Sequence, residues 1–132
     1  MTIQRQNPPA LHPTPGYHHV TTVDARRAVH LAGQCPLAPD GQVVSGDVLA
    51  QVDQVVANTE VALAHAGATP EDVVRTVIYV ATSDQPTLAA VWERFVNSSI
   101  AEAFTTASTL VGVTCLGYRG QLVELDVTAA LA

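Results

Sequence analysis

His18, His19 and His30 are candidate residues for binding a metal ion. His18 and His19 are adjacent, so in a strand they point to opposite faces and cannot bind one ion as neighbours. His30 can meet them only across a hairpin, and no cysteine or carboxylate stands at the spacing of a metal site. The pattern predicts a structural or surface role for these histidines and no bound metal.

Hydroxyl and thiol side chains offer candidate nucleophiles. Ser108 stands beside Thr109, but a catalytic serine needs a positioned base and an oxyanion hole, and no Gly-x-Ser-x-Gly elbow occurs. A phosphate loop and a dinucleotide fingerprint are also absent, so we expect no cofactor. Cys35 and Cys115 lack the spacing of a zinc site or a disulfide framework, and we expect both to be small buried residues in a reducing compartment.

Three further residues have features suited to holding a ligand. Tyr17 offers a hydroxyl group and an aromatic face, and Gly33 lets a ligand approach its backbone because it lacks a Cβ atom. Gly33 suits a turn or a bulge equally well. Trp92 lies on an apolar helix stripe, which favours a place in the core over one in a cleft.

The segment before Tyr17 differs in composition from the rest of the chain. Residues 1–16 hold four of the eight prolines, which remove backbone donors and favour extended conformations. We expect an irregular N-terminal arm over residues 1–16 and one domain over residues 17–132, a common length for a single core.

The first part of the domain predicts a β-hairpin and a short strand. β-Branched and aromatic residues over 17–23, a turn at Asp24 and Ala25, and a second β-rich run over 28–33 favour two paired strands. A Pro-Asp-Gly turn signal over 39–41 then precedes a predicted short strand over 42–44.

Caps and periodicity predict two helices. Asp47 suits the N-cap of the first helix and Gly67 its C-terminal stop, while residues 83–86 open the second helix. Apolar or small residues recur at three- and four-residue steps on both helices: Val48, Val52, Val55, Thr59, Leu63 and Ala66 on the first, and Leu88, Val91, Trp92 and Phe95 on the second.

Three more strands are predicted over residues 73–81, 108–115 and 122–129. In the last of these, Glu124 shares a polar face with Asp126, and the alternate residues form an apolar face. Strands, a long helix, a strand, a helix and two strands, in that order, predict an α+β fold in which a mixed sheet carries both helices on one face.

The composition restricts the partners of the chain. Charged residues make up 14% and hydrophobic residues 48%, so apolar surface remains to be buried between subunits. A biased genome also fits these values and the absence of lysine. A net charge of -6 without basic patches argues against nucleic acid. No signal peptide or membrane span is evident, so we expect a cytoplasmic protein without a membrane partner.

Several collinear segments resemble the YjgF/RidA family, which is also called endoribonuclease L-PSP. These segments are residues 16–19, 31–37, 46–47, 51–54, 58, 66–67, 72–80, 107–113 and 122–127. The resemblance extends over nearly the whole of residues 17–129. It implies a chorismate-mutase-like subunit, a homotrimer whose sheets line a central barrel, and ligand sites in clefts between neighbouring subunits.

The resemblance also assigns roles to individual residues. Glu124 matches an acid on the last strand that either orients a water and moves a proton or joins an interface hydrogen-bond network. Ser108 stands where the deaminating branch has an arginine that binds the substrate carboxylate. Arg119 is the nearest cation in sequence, or else a solvated turn residue. The candidate set is completed by substrate-binding residues around the catalytic Glu124: Tyr17, Gly33, Trp92, Ser108, Thr109 and Arg119.

Three functions follow from the resemblance. The leading one is a cofactor-independent enzyme or binder that acts on an imine or enamine metabolite by hydrolytic deamination, with Ser108 arguing against 2-aminoacrylate as the substrate. The second is a non-catalytic ligand-binding trimer. The third is an endoribonuclease, against which the acidic charge of the chain argues.

Overall fold

The computed structural model describes all 132 residues, and strands and helices follow one another in an α+β order. The strands are β1 (Thr2–Gln6), β2 (Val20–Asp24), β3 (Arg27–His30), β4 (Val73–Ala81), β5 (Ala107–Val113) and β6 (Val123–Leu131). The helices are α1 (Val48–His65) and α2 (Gln85–Val96), with short 3₁₀ turns at Pro70–Asp72 and Ala101–Phe104. Neither helix is both long and apolar enough to span a bilayer.

The main sheet is mixed and has the strand order β3-β6-β4-β5. β4 and β5 are parallel, whereas β6 is antiparallel to both β3 and β4. A parallel pair requires a crossover connection, and α2 lies within the connection from β4 to β5. Both helices pack on the same face, which confirms the predicted α+β domain with a mixed sheet and two helices.

Helix α1 begins and ends where its capping residues predict. The Asp47 carboxylate accepts a hydrogen bond from the backbone N–H of Ala50 at 2.9 Å, as an N-cap does. At the other end Gly67 adopts a φ of +78°, a conformation that glycine reaches without a steric cost. Val52, Val55 and Leu63 form the buried stripe of this helix.

The main sheet has one buried face and one open face. Thr76, Ile78 and Val80 of β4 point to the helices and are almost fully buried. On β6 the same alternation buries Val123 and Leu125, so Glu124 and the residues in phase with it point to the opposite, open face. The predicted division of the last strand into two faces is therefore confirmed.

The predicted hairpin is wrong. β2 pairs instead with β1, with Ile3 opposite Val23, and β3 pairs with β6, with Val29 opposite Ala129. The N-terminal arm is consequently not irregular throughout, because Thr2–Gln6 forms a strand and only the proline-rich residues 7–16 lack regular structure. The predicted strand over 42–44 is reduced to a single bridge between Leu37 and Val43.

Candidate functional site

Glu124 lies on the open face of β6, opposite Tyr79 of β4. Its Oε1 atom accepts hydrogen bonds from the Gln121 amide at 3.0 Å and from the Cys35 thiol at 3.3 Å. Its Oε2 atom receives no hydrogen bond from the chain. Gln121 is itself only 4% exposed, so this donor holds one carboxylate oxygen in place and leaves the other for a ligand or water.

The segment that follows β3 brings Gly33 against this carboxylate. Gln34 and Leu125 exchange two backbone hydrogen bonds, of 2.7 and 3.0 Å, and so extend the pairing with β6 beyond β3. A Cβ atom on Gly33 would lie 2.8 Å from Cδ of Glu124 and closer still to Oε2. The backbone of Gly33 does not adopt a positive φ. The observed position of the Glu124 carboxylate therefore depends on the missing Cβ atom of Gly33, and turn geometry does not require glycine here.

Cys35 is a neutral thiol at neutral pH. Partial burial, the hydrogen bond to Glu124 and the negative charge of Glu124, in that order of size, together raise the pKa of the Cys35 thiol from 9.0 to about 11. The thiol is therefore a hydrogen-bond donor to Glu124 and a poor nucleophile. The expectation of two buried cysteines is wrong for Cys115, which is exposed.

Sequence reasoning did not identify Cys35 and Gln121 as the partners of Glu124. A signal for Cys35 was present, because a residue two positions from Gly33 in an extended segment points to the same side. Gln121 lies three residues before Glu124, in a turn between strands, and no periodicity connects the two. Its contact depends on Tyr118, whose backbone N–H donates to the Gln121 side-chain oxygen at 3.1 Å.

A second group of candidate residues lines a groove on the helix side of the sheet. Tyr17, Trp92 and Ser108, together with Pro15 and Leu110, enclose a hollow of about 330 Å³. The Trp92 ring meets the Tyr17 ring edge to face, with their centroids 6.0 Å apart. Trp92 is half-buried and packs against the core, so it is both a core residue and a lining residue of this groove.

Ser108 uses its hydroxyl group within the sheet. The Oγ atom accepts a hydrogen bond from the hydroxyl of the fully buried Thr76 at 2.7 Å and donates one to the backbone carbonyl of Thr106 at 3.0 Å. The hydroxyl proton is thus directed at a carbonyl and not at a base. Ser108 contributes a small polar patch to the groove, without a charge.

The two groups lie on opposite faces of one sheet. Ser108 is in register with Thr76, which points to the helices. Glu124 is in register with Tyr79, three residues further along β4, and an odd separation along a strand places two side chains on opposite faces. Thr109 lies on the open face and accepts a hydrogen bond from Arg75 at 2.7 Å. One chain therefore brings Tyr17, Trp92 and Ser108 together, joins Gly33 to Glu124, and leaves Thr109 and Arg119 outside both groups.

Arg119, His18 and His19 lie outside both groups and have local structural roles. Arg119 is exposed in a turn that is closed by a hydrogen bond from Gln121 to Tyr118 and contains Gly120 at a φ of +79°. His18 bonds to the Thr105 carbonyl and His19 to the His12 carbonyl. No three histidine, cysteine or carboxylate side chains of this chain come together as metal ligands would.

Fold and site together define a single-domain α+β protein with a carboxylate on the open face of its sheet, and comparison with known proteins identifies its family. The family model described as "Endoribonuclease L-PSP" matches residues 8–131. The chain therefore belongs to the endoribonuclease L-PSP family, in which the Rid and YjgF proteins are its structural neighbours.

Individual relatives match nearly the whole chain. The Rid family protein YyfB of Yersinia pestis has a TM-score of 0.87 and 35% identity, covering 99% of this chain and 100% of that one. The YjgF gene product of E. coli has a TM-score of 0.64 and 28% identity, covering 94% and 92% of the two chains. The protein DfrA of Myxococcus xanthus is 33% identical over 126 residues, which are 94% of this chain and 89% of DfrA.

Proposed function

We propose that this chain is a small-molecule enzyme that hydrolyses an imine or enamine in a cleft between two copies of itself. The observation that supports this most is the arrangement of Glu124. One carboxylate oxygen is held by Gln121 and Cys35, and the other has no donor from the chain and occupies the space that a Cβ atom on Gly33 would fill. A carboxylate with one fixed and one free oxygen is suited to accept a proton from a water molecule.

The site needs a second copy of the chain because its two halves do not meet in one copy. The groove with Trp92 and Ser108 and the carboxylate of Glu124 lie on opposite faces of the sheet. The open face also carries apolar side chains that a single chain buries only in part, among them Val77 and Val111. A homotrimer, as the family resemblance implies, covers this face and sets the Glu124 of one copy against the groove of its neighbour.

The proposed reaction needs only water and proton transfers. Glu124 Oε2 takes a proton from water as the water oxygen bonds to the carbon of the protonated imine, giving a neutral carbinolamine. The protonated Glu124 then returns this proton to the nitrogen, and ammonia leaves as Glu124 takes the hydroxyl proton and the C=O bond forms. An enamine first takes up a proton at carbon to become the imine. Glu124 is the catalytic residue, and Cys35 and Gln121 are positioning residues because they act through its other oxygen.

The binding residues would come from the groove and from the β3 side of the neighbouring copy. Tyr17, Trp92 and Ser108 would line the substrate, and Gly33 would leave room for the Glu124 carboxylate beside the backbone. Ser108 provides no guanidinium fork for a carboxylate, so a simple 2-imino acid such as the imine of 2-aminoacrylate is not the preferred substrate. No cofactor and no metal take part in this scheme.

Two other functions can be tested with the same purified protein. A ligand-binding trimer without chemistry is favoured by the bonds that already occupy the Ser108 hydroxyl. Ribonuclease activity is what the name of the family describes, but the net charge of -6 opposes binding of a phosphate backbone. RNA cleavage that survives repurification and is lost in Glu124→Gln would establish the ribonuclease instead.

The test measures ammonia release from enzymatically generated imines. We expect Glu124→Gln to slow the reaction by about 10²- to 10⁴-fold, the usual contribution of a general base. Asp126→Asn is the matched control, because Asp126 lies two residues along the same face of β6 and should leave the rate unchanged. Equal rates for wild type, Glu124→Gln and buffer would reject hydrolysis, and ligand-induced thermal shifts without turnover would then support the binding function.

A further inference from the structure

The groove beside Ser108 has several aromatic and apolar residues in its lining. The hollow around Ser108 continues into a second one of about 410 Å³, since both share Pro15 and Trp92 as lining residues. Val96 and Phe104 line this continuation, and the Phe104 ring lies edge to face with Trp92 at 6.0 Å. A groove of this size and character is typical of a site for a small flat apolar group.

No positive charge of the same chain lines the groove. The chain has no lysine, and each of its six arginines is placed elsewhere: Arg5 on the Glu71 and Val73 carbonyls, Arg26 and Arg27 at the far edge of the sheet, Arg75 on Thr109, Arg94 on Asp53, and Arg119 on an exposed turn. The only carboxylate in the lining is Glu102. Within one copy, a bound carboxylate would therefore lose hydration without gaining a counter-charge, which is unfavourable.

We propose that this groove selects imines that carry an aromatic group and no carboxylate, such as those formed by oxidation of primary arylalkyl amines. The inference rests on the proposed hydrolysis and defines its substrate class. The aromatic ring would lie against Trp92 and Phe104, with the C=N group at the Ser108 end. The reaction is R–CH=NH plus H₂O giving R–CHO plus NH₃, so atoms balance without an oxidant or reductant.

Binding can be measured separately from chemistry by tryptophan fluorescence, because Trp92 lines the groove and is the only tryptophan of the chain. Titration with benzamide and with benzoate, which have the same size and differ in charge, should quench the Trp92 emission. We expect benzamide to bind at least about tenfold more tightly, since only benzoate must leave a charge unpaired. In Ser108→Arg the added guanidinium should reverse this order.

Ser45→Arg is the matched control for the added charge. Ser45 is exposed in the loop before α1 and does not line the groove, so the preference for benzamide should remain. Trp92→Phe should remove the signal. Equal or tighter binding of benzoate to the wild type, or no quenching by either compound at millimolar concentration, would overturn the inference.

Turnover distinguishes the substrate class from the reaction. One imine is generated from benzylamine by an amine oxidase, and the other, 2-imino-3-phenylpropionate, from phenylalanine by an amino acid oxidase. We expect faster ammonia release from the first. Faster release from the second would overturn the substrate class while leaving hydrolysis intact. Benzamide binding with no acceleration of either imine would overturn hydrolysis and leave the selectivity of the groove supported.

Discussion

The two oxygen atoms of Glu124 have different surroundings because individual neighbouring residues contact only one of them. Oε1 has two donors, one of them the buried Gln121, whereas Oε2 has none and lies against Gly33. A carboxylate that is bonded at both oxygens would be a structural group, and one bonded at neither would be mobile. The chain therefore fixes the direction of the free oxygen before any ligand binds, which reduces the entropy lost in catalysis.

The titration of Cys35 tests this network directly. In a Cys115→Ser background Cys35 is the only thiol, and its alkylation rate should rise with pH around a midpoint of about 11. Glu124→Gln should lower the midpoint, because it removes the carboxylate that opposes the thiolate while burial remains. Mass spectrometry of the alkylated chain gives the rate, and a midpoint near 9.0 in the wild-type site would contradict the network.

The same shift predicts how stability depends on pH. The pKa of Cys35 is higher in the folded chain than in the unfolded one, so its contribution to the free energy of unfolding is fully present below pH 9.0 and lost as the pH rises towards 11. Denaturant titrations of the wild type between these values should show a decrease that Cys35→Ala lacks.

Gly33→Ala should separate activity from stability. The new Cβ atom would meet the end of the Glu124 side chain, which can swing away at little energetic cost, so we expect a nearly unchanged melting temperature. The carboxylate then leaves its position, and the rate of imine hydrolysis should fall by about 10²-fold. Gly117→Ala is the control, because a Cβ there meets no atom within 4 Å. Full activity in Gly33→Ala would show that the position of this carboxylate is unimportant.

Among the elements, those whose signals are local could be predicted from the sequence. α1 has its cap at Asp47 and its stop at Gly67, and β6 alternates around Glu124, so both agree with expectation. The hairpin prediction failed because β3 joins a strand about 100 residues away in sequence, and no local pattern encodes such pairing. β1 was missed because the prolines that follow it dominated the composition of residues 1–16.

A substitution at Gly112 would test how closely β5 packs against the connection from β4 to α2. A Cβ atom at this position would lie 2.5 Å from the backbone carbonyl oxygen of Thr82, and neither group can move away as a flexible side chain does. We expect Gly112→Ala to lower the free energy of unfolding by about 1–3 kcal/mol, as overpacking usually does. Urea denaturation, compared with Gly117→Ala, measures it. An unchanged midpoint would mean that β5 is loosely held.

The sequence indicated some residues of the candidate site but not their arrangement. The resemblance indicated Glu124, Gly33 and Ser108, and the structure gives each a defined place. That Ser108 and Glu124 lie on opposite faces depends on the register of both strands with β4, which the sequence alone does not show. At the scale of the whole molecule, charged residues make up only 14% of the chain, and one face of the sheet is only partly buried. Both features are consistent with the proposed association of several copies.

Subunit complementation tests whether the site is shared between copies. Ser108→Arg alters the groove and Glu124→Gln removes the base, so each variant alone should hydrolyse the aromatic imine slowly. In the proposed homotrimer, refolded from an equal mixture, a wild-type site should form wherever the groove of a Glu124→Gln chain meets the Glu124 of a Ser108→Arg chain. Random assembly gives this pairing at about a quarter of the sites, so about a quarter of wild-type activity should return. Variants mixed without refolding are the control for subunit exchange. If one chain held the complete site, refolding the two variants together would recover no activity. A 13.8 kDa monomer in light scattering would also contradict a site shared between copies.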